Sequence, residues 1–273
     1  RDMIQSISLD SNVWYIGSYA FQGINFTGEY VIPDTVIEIG ECAFYGTSGM
    51  ERLSTGDGLT SLNTGKLTGC TELRELHLGK SISDIDLTVH GDLSALETIS
   101  VDADNGQYTA VGGVLYTKNM TTLVYCPEQD SGDLTVPNGV ETVNASALSN
   151  NVLHENVVLP YTVSSIGSDA FKMSMMSSLR INGYPESVDD TAFEMCTISD
   201  GISVPSCCRD EYEASEHYDA ADGTWFGFEL NFFDCEHSYE NGVCTVCGCE
   251  QSGTATIIAS GYCGGDTTAE YDE

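Results

Sequence analysis

The chain has 273 residues, with 9 lysines and arginines against 42 aspartates and glutamates and a formal net charge of −33. That balance excludes nucleic acid and anionic membrane surfaces as partners, since both are held through a basic footprint, and no apolar run is long enough for membrane insertion. The acidic residues are spread along the chain, which is the pattern of a solubilising surface and not of one cation site.

Apolar residues recur at a fixed step from the start. Ile7, Leu9, Val13, Ile16 and Ala20-Phe21 form a first unit, and a shift of 23 residues reproduces it as Tyr30, Ile32, Val36, Ile39 and Ala43-Phe44. In this second unit Tyr30 and Ile32 alternate as a short strand. Pro33 closes the strand because it cannot donate to a ladder, Gly40 permits a bend, and Phe44 plugs the end. Further units begin at Leu53, Leu76 and Ile99 and, after an interruption, at Leu134, Val157, Leu179 and Ile202, so that nine strand slots share one phase. No single unit can bury its own apolar face, so the units must stack, and a period in this range is that of a leucine-rich repeat solenoid. The expectation is one continuous internal column running from Ile7 to Ile202 and a second made by Phe21, Phe44, Phe171 and Phe193. Residues between the inward ones face out. That outer face is small and polar and has no aromatic residue, with Arg52, His77 and Arg180 as its exceptions.

The step from Ile99 to Leu134 is 35 residues, one unit plus 12. Residues 113–116 and 122–125 alternate like two strands around a turn at Lys118-Asn119, which predicts a hairpin over 103–130 projecting from the stack. Its Tyr108, Tyr116 and Tyr125, and to a lesser extent Arg52 and Arg180 on the sheet, are candidate contacts for a protein partner, because Tyr and Arg are enriched at binding hot spots. The alternative is that the tyrosines cover the core. Asp102, Asp104 and Asn105-Gly106 miss the spacing of a calcium loop and read as a turn.

Beyond Pro205 the period fades. Residues 211–221 are acidic with a weak helical period, and Trp225, Phe226, Phe228, Phe232 and Phe233 are a cap for the exposed end of a solenoid spanning 1–230. The one chemical motif lies in 231–250. Cys235-x-His237 and Cys244-x-x-Cys247 offer three thiols and an imidazole at short spacing, a set that can enclose a structural zinc ion in a tetrahedron. Four protein ligands leave no open position for catalysis. The alternative is a pair of disulfides with His237 a bystander, and Cys249 is a spare thiol. Cys42, Cys70 and Cys196 sit at repeat register and read as small buried hydrophobes, free and inert like most cysteines of the solenoid. His90 falls in an irregular turn, and His154 and His217 have no partner that spacing identifies. No nucleophile elbow, zincin, P-loop or dinucleotide fingerprint is present, so the chain reads as no enzyme. Residues 251–273 show no packed pattern and read as a linker or the start of a following module, and a chain beginning at Arg1 in mid-pattern reads as a segment whose leader lies outside it.

The units IPDTVIEIGECAF and LPYTVSSIGSDAF, the insert at 104–127 and the segment VPSCCRDEYEA followed by Trp225 resemble the BspA-like leucine-rich repeat family from Ile7 to about Phe228. The knuckle likewise resembles those found between modules of such surface proteins. The resemblance implies a right-handed, mainly β solenoid with a parallel sheet on one face and short helical turns on the other. It also implies a secreted or cell-surface binding or adhesion module, with a host matrix protein or another surface protein as partner. A structural spacer in a larger surface protein is the alternative.

Overall fold

The computed structural model describes residues 7–87, 93–128, 132–152 and 154–249, together with the backbone of one short strand pair, Ile257–Ile258 with Thr268–Ala269. The expectation for His90, and most of that for 251–273, lies outside the described residues.

The repeat period becomes cross-strand register. Asn25–Val31, Ser48–Ser54, Glu75–Leu78 and Thr98–Val101 form a parallel sheet in which Tyr30, Leu53, Leu76 and Ile99 are successive partners. Each strand alternates, so Leu76 and Leu78 are buried while Glu75 and His77 are only half-buried. After the strand, Val36, Val140 and Val163 each donate to the carbonyl of the proline three residues earlier, closing a turn that returns a buried valine to the core. A second set of short parallel strands follows, pairing Ile16 with Ile39 and Leu62 with Ile85.

The outer turns are less helical than expected. Thr64–Leu67 is the one α-helix among the described repeat residues before Pro205. Elsewhere the backbone N–H of Phe21, Leu148 and Phe171 donates to the next unit, to Ala43, Ala170 and Ala192 at 2.8 Å, and is therefore unavailable for an intrahelical bond.

The insert departs most from expectation. It is a three-strand meander, Tyr108–Val111, Val114–Thr117 and Thr122–Tyr125, with Gly112-Gly113 at positive φ forming the first tight turn. It does not project. Val114, Leu115 and Tyr116 are consecutive and all buried, which a hairpin standing in solvent cannot achieve. Thr122–Tyr125 pairs in parallel with Thr142–Val143 and takes a place in the second sheet. The meander divides the interior. Leu115 and Tyr125 pack into the core of residues 16–99, whereas Val114, Tyr116, Leu123 and Cys126 pack into the core of residues 134–230. The expected single column is therefore two, Tyr30 to Ile99 and Leu134 to Ile202, and the phenylalanines form two stacks, Phe21 on Phe44 and Phe171 on Phe193. Ile7 packs against the first core but forms no strand.

At the other end the cap is also a strand. Phe228–Phe233 extends the sheet formed by the repeat strands Gly132–Thr135, His154–Leu159, Ser178–Ile181 and Ile202–Pro205, placing Leu230 against Ile202, then folds against Thr224–Trp225. Trp225 and Tyr212 are buried edge-to-face, and their polar atoms bond Ser215 and the Gly183 carbonyl. No helix among the described residues is long and apolar enough to cross a membrane.

Candidate metal centre and binding surfaces

The chain leaves Phe228–Phe233 through Cys235 and His237 into a hairpin, Tyr239–Glu240 with Val243–Cys244. Asn241 and Gly242 are both at positive φ, the geometry that a two-residue turn matching strand twist demands. The hairpin sets Cys244 opposite Tyr239, and the Thr245 N–H bonds the Ser238 carbonyl at 2.8 Å. Gly248 N–H then bonds the Cys244 carbonyl at 2.9 Å and turns Cys247 back toward Cys244.

These local bonds bring the four expected residues together. One ligand atom from each of Cys235, His237, Cys244 and Cys247 lies within 4.8 Å of the others. Cys235 Sγ is 3.7 Å from Cys244 Sγ, and Cys247 Sγ is 3.4 Å from His237 Nδ1. Bonds of about 2.3 Å to sulfur and about 2.0–2.1 Å to nitrogen at tetrahedral angles give edges of roughly 3.8 and 3.6 Å. The atoms already stand near the corners of such a tetrahedron. All three cysteines are free, and the 3.7 Å pair is far longer than the roughly 2.05 Å of a disulfide. Burial pushes the Cys244 thiol up, but N–H groups of Cys247, Val246 and Ser238 and the His237 ring outweigh it and hold the thiol at about 5. Burial, followed by the neighbouring Cys247 and Cys244, pushes Cys235 up to about 12, and burial also raises Cys247. Three sulfurs this close do not all carry charge unless a cation joins them.

The knuckle is fastened to the solenoid. Cys207, just after the last repeat strand, forms a disulfide with Cys249, and Gly248 sits so close to Tyr161 that an added Cβ would lie 2.7 Å from its ring. From spacing alone Cys207 has no evident partner and Cys249 reads only as a spare thiol. A lone thiol beside a four-ligand set and another beside the last strand are the only signals the sequence carries. Cys42, Cys70, Cys126 and Cys196 form no disulfide with a described residue.

The candidate contact residues fare differently. Tyr116 and Tyr125 are 1% and 5% exposed, so they belong to the core and present nothing to a partner. Tyr108 is half-buried, its hydroxyl 3.4 Å from the Ser83 carbonyl. Arg52 pairs with Glu75 at 2.8 Å. Arg180 donates to Asn182 and lies 3.9 Å over the ring of Phe233, an aromatic residue on the sheet face that the repeat phase does not reveal. His77 bonds Ser100 along the same face. His154 and His217 do have partners: His154 Nε2 is 3.4 Å from Cys126 Sγ in the buried interior, and His217 stacks on Phe226 near Asp190.

Sequence reasoning missed two exposed aromatic pairs at the opposite end. Trp14, 60% exposed, contacts Tyr15, and Tyr19 meets Tyr45 edge-on. Tyr15 lines a groove with Ile37, Glu41, Asn63 and Lys66. The four aromatics lie in outer turns and at an outward position of the second sheet, where no strand phase marks them as a group.

The family described as BspA type leucine-rich repeat region matches residues 2–109 and 125–213 in 6 copies. No curated protein matches the chain. Among solved structures, the pneumococcal vaccine antigen PcpA is similar at 16% identity and a TM-score of 0.50, over 71% of this chain and 66% of that one. A leucine-rich repeat protein from Eubacterium ventriosum is similar at 18% identity and a TM-score of 0.44, over 72% and 65%. A leucine-rich cell surface protein from Faecalibacterium prausnitzii is similar at 18% identity and a TM-score of 0.41, over 82% and 84%. The chain thus spans just under two thirds of the length of the first two.

Proposed function

The chain belongs to the BspA-type leucine-rich repeat family, and from that premise we propose that it is an extracellular, cell-surface module that binds a protein and performs no catalysis. The observation that carries this reading is the exposure of four aromatic residues in two pairs, Trp14 with Tyr15 and Tyr19 with Tyr45. Rigid aromatic side chains supply large contact area at low entropic cost and dominate binding hot spots. The net charge of −33 favours a partner with a basic rim, such as a basic matrix or surface protein, and speeds its approach. An extracellular setting agrees with the Cys207–Cys249 disulfide, which an oxidising compartment maintains.

The experiment is surface plasmon resonance against a set of basic extracellular-matrix proteins, comparing the unaltered chain with a Trp14→Ala/Tyr45→Ala variant. The expected result is salt-sensitive binding that the variant loses by at least about tenfold, roughly 1.4 kcal/mol. Equal binding by both proteins would place the contact elsewhere.

A spacer role draws support from a different observation. Arg52 and Arg180 on the sheet face are engaged internally, and the disulfide and the Gly248–Tyr161 contact fix the knuckle to the last repeats, as a rigid stalk joint requires. In either role we assign the Cys235, His237, Cys244 and Cys247 set to one structural zinc. Three thiolates and an imidazole suit that ion, and the metal would hold a segment too small to form a core of its own.

A further inference from the structure

Cys247 stands between two sulfur chemistries. On one side it belongs to the set with Cys235, His237 and Cys244; on the other it lies within 4.8 Å of both sulfurs of the Cys207–Cys249 disulfide. Its Sγ is 3.6 Å from Cys207 Sγ. Bonded sulfurs lie about 2.05 Å apart, so closing that gap takes a shift of about 1.5 Å, together with a side-chain rotation that swings Cys247 Sγ to the side of Cys207 Sγ opposite Cys249, because all three sulfurs now lie within 4.8 Å of one another. Cys247 and Cys249 are separated only by Gly248, so the two candidate partners of Cys207 are near neighbours on the chain.

We infer that Cys207 exchanges its disulfide partner between Cys249 and Cys247, and that metal occupancy of the knuckle selects Cys249. In the exchange the Cys247 thiolate attacks Cys207 Sγ. The Cys207–Cys247 bond forms, the Cys207–Cys249 bond breaks, and Cys249 leaves as a thiolate that takes up the proton Cys247 gave up. No electrons are gained or lost, so neither oxidant nor reductant is required. A metal bound through Cys247 occupies the attacking electron pair and holds the original disulfide. Once Cys247 is bonded to Cys207, only Cys235, His237 and Cys244 remain of the four ligands, and the metal is held more weakly. The two equilibria are reciprocal: whatever favours the metal disfavours the Cys207–Cys247 bond, and the reverse. The consequence falls on the joint between solenoid and knuckle, because both the staple and the ligand set change together. The metal dependence rests on the zinc reading above; the exchange itself rests on the Cys207–Cys247 approach alone.

The test uses the full chain, loaded with zinc or stripped with chelator under argon, held at pH 8, then quenched in acid, alkylated, digested and mapped by mass spectrometry. Elemental analysis of each sample runs alongside. Zinc-loaded protein should show only Cys207–Cys249. Stripped protein should gain a Cys207–Cys247 population that disappears when zinc is restored, and Cys247→Ser should keep Cys207–Cys249 in both states. Stripped protein that shows only Cys207–Cys249 after a day overturns the exchange. Protein that takes up no zinc overturns the metal reading and its selecting role, while the Cys207–Cys247 bond in that same metal-free protein still decides whether exchange occurs.

Discussion

Asn105 is the side chain whose removal should report most sharply on how the meander is held. It is 1% exposed and fully bonded. Its Nδ2 donates to the carbonyls of Gly79 and Ile82 at 2.9 and 3.0 Å, and its Oδ1 accepts from the N–H groups of Gln107 and Tyr108, both at 2.8 Å. The amide therefore ties the start of the meander to the preceding repeat. A hydrogen bond contributes about 1 kcal/mol net, and a buried group left without its partner costs more than that. Asn105→Ala removes four bonds, and allowing water to recover some of them leaves a loss of about 2–4 kcal/mol. Asn105→Asp keeps the size and the two accepted bonds but places an oxygen against the Gly79 and Ile82 carbonyls, for a loss of about 2 kcal/mol. Urea unfolding followed by circular dichroism gives the total. Fluorescence adds the location, since the 2 tryptophans, Trp14 and Trp225, lie at opposite ends of the described fold. Repeat stability is transmitted between neighbours, and Asn105 grips the first core, so the Trp14 signal should shift more than that of Trp225. An Asn105→Ala unfolding free energy within about 1 kcal/mol of that of the unaltered protein would refute the reasoning.

Three further outcomes are expected. Phe44→Ala should cost about 3–5 kcal/mol in the same denaturation assay, because Phe44 is buried between Phe21 and Tyr30 and its loss opens a cavity. Met195 is at φ 56° and 71% exposed, so Met195→Gly should relieve backbone strain with little lost packing and raise the free energy of urea unfolding by about 1 kcal/mol. Zinc uptake at pH 7 should release about two protons, since Cys244 at about 5 is already a thiolate whereas Cys235, at about 12, and Cys247, also raised, must each lose one. Affinity should accordingly rise with pH through the neutral range, which calorimetry in buffers of different ionisation enthalpy measures; uptake with no proton release would contradict the ligand set.

Much of the fold was legible because its period is also its register. Tyr30, Leu53, Leu76 and Ile99 occur at equal steps in the sequence and lie side by side in the sheet. The meander was legible as strands but not as interior. Alternation describes a strand with one wet face, whereas Val114, Leu115 and Tyr116 are enclosed by two cores, and a run of three apolar residues does not say which core receives each. The knuckle could be read because its geometry is local, set by the Asn241-Gly242 turn and the Cys244-x-x-Cys247 spacing. The Cys207–Cys249 bond could not, because it spans 42 residues and depends on where the knuckle docks. The same holds for Arg180 on Phe233 and Cys126 beside His154, contacts made only when distant strands meet.

The most direct measurement is zinc K-edge X-ray absorption on protein purified without chelator, with the metal content of the same sample. About one zinc per chain, with three sulfurs at about 2.3 Å and one nitrogen at about 2.0–2.1 Å, is the predicted result. Protein without metal, or metal in a shell dominated by oxygen, would contradict the assignment of Cys235, His237, Cys244 and Cys247 as its ligands.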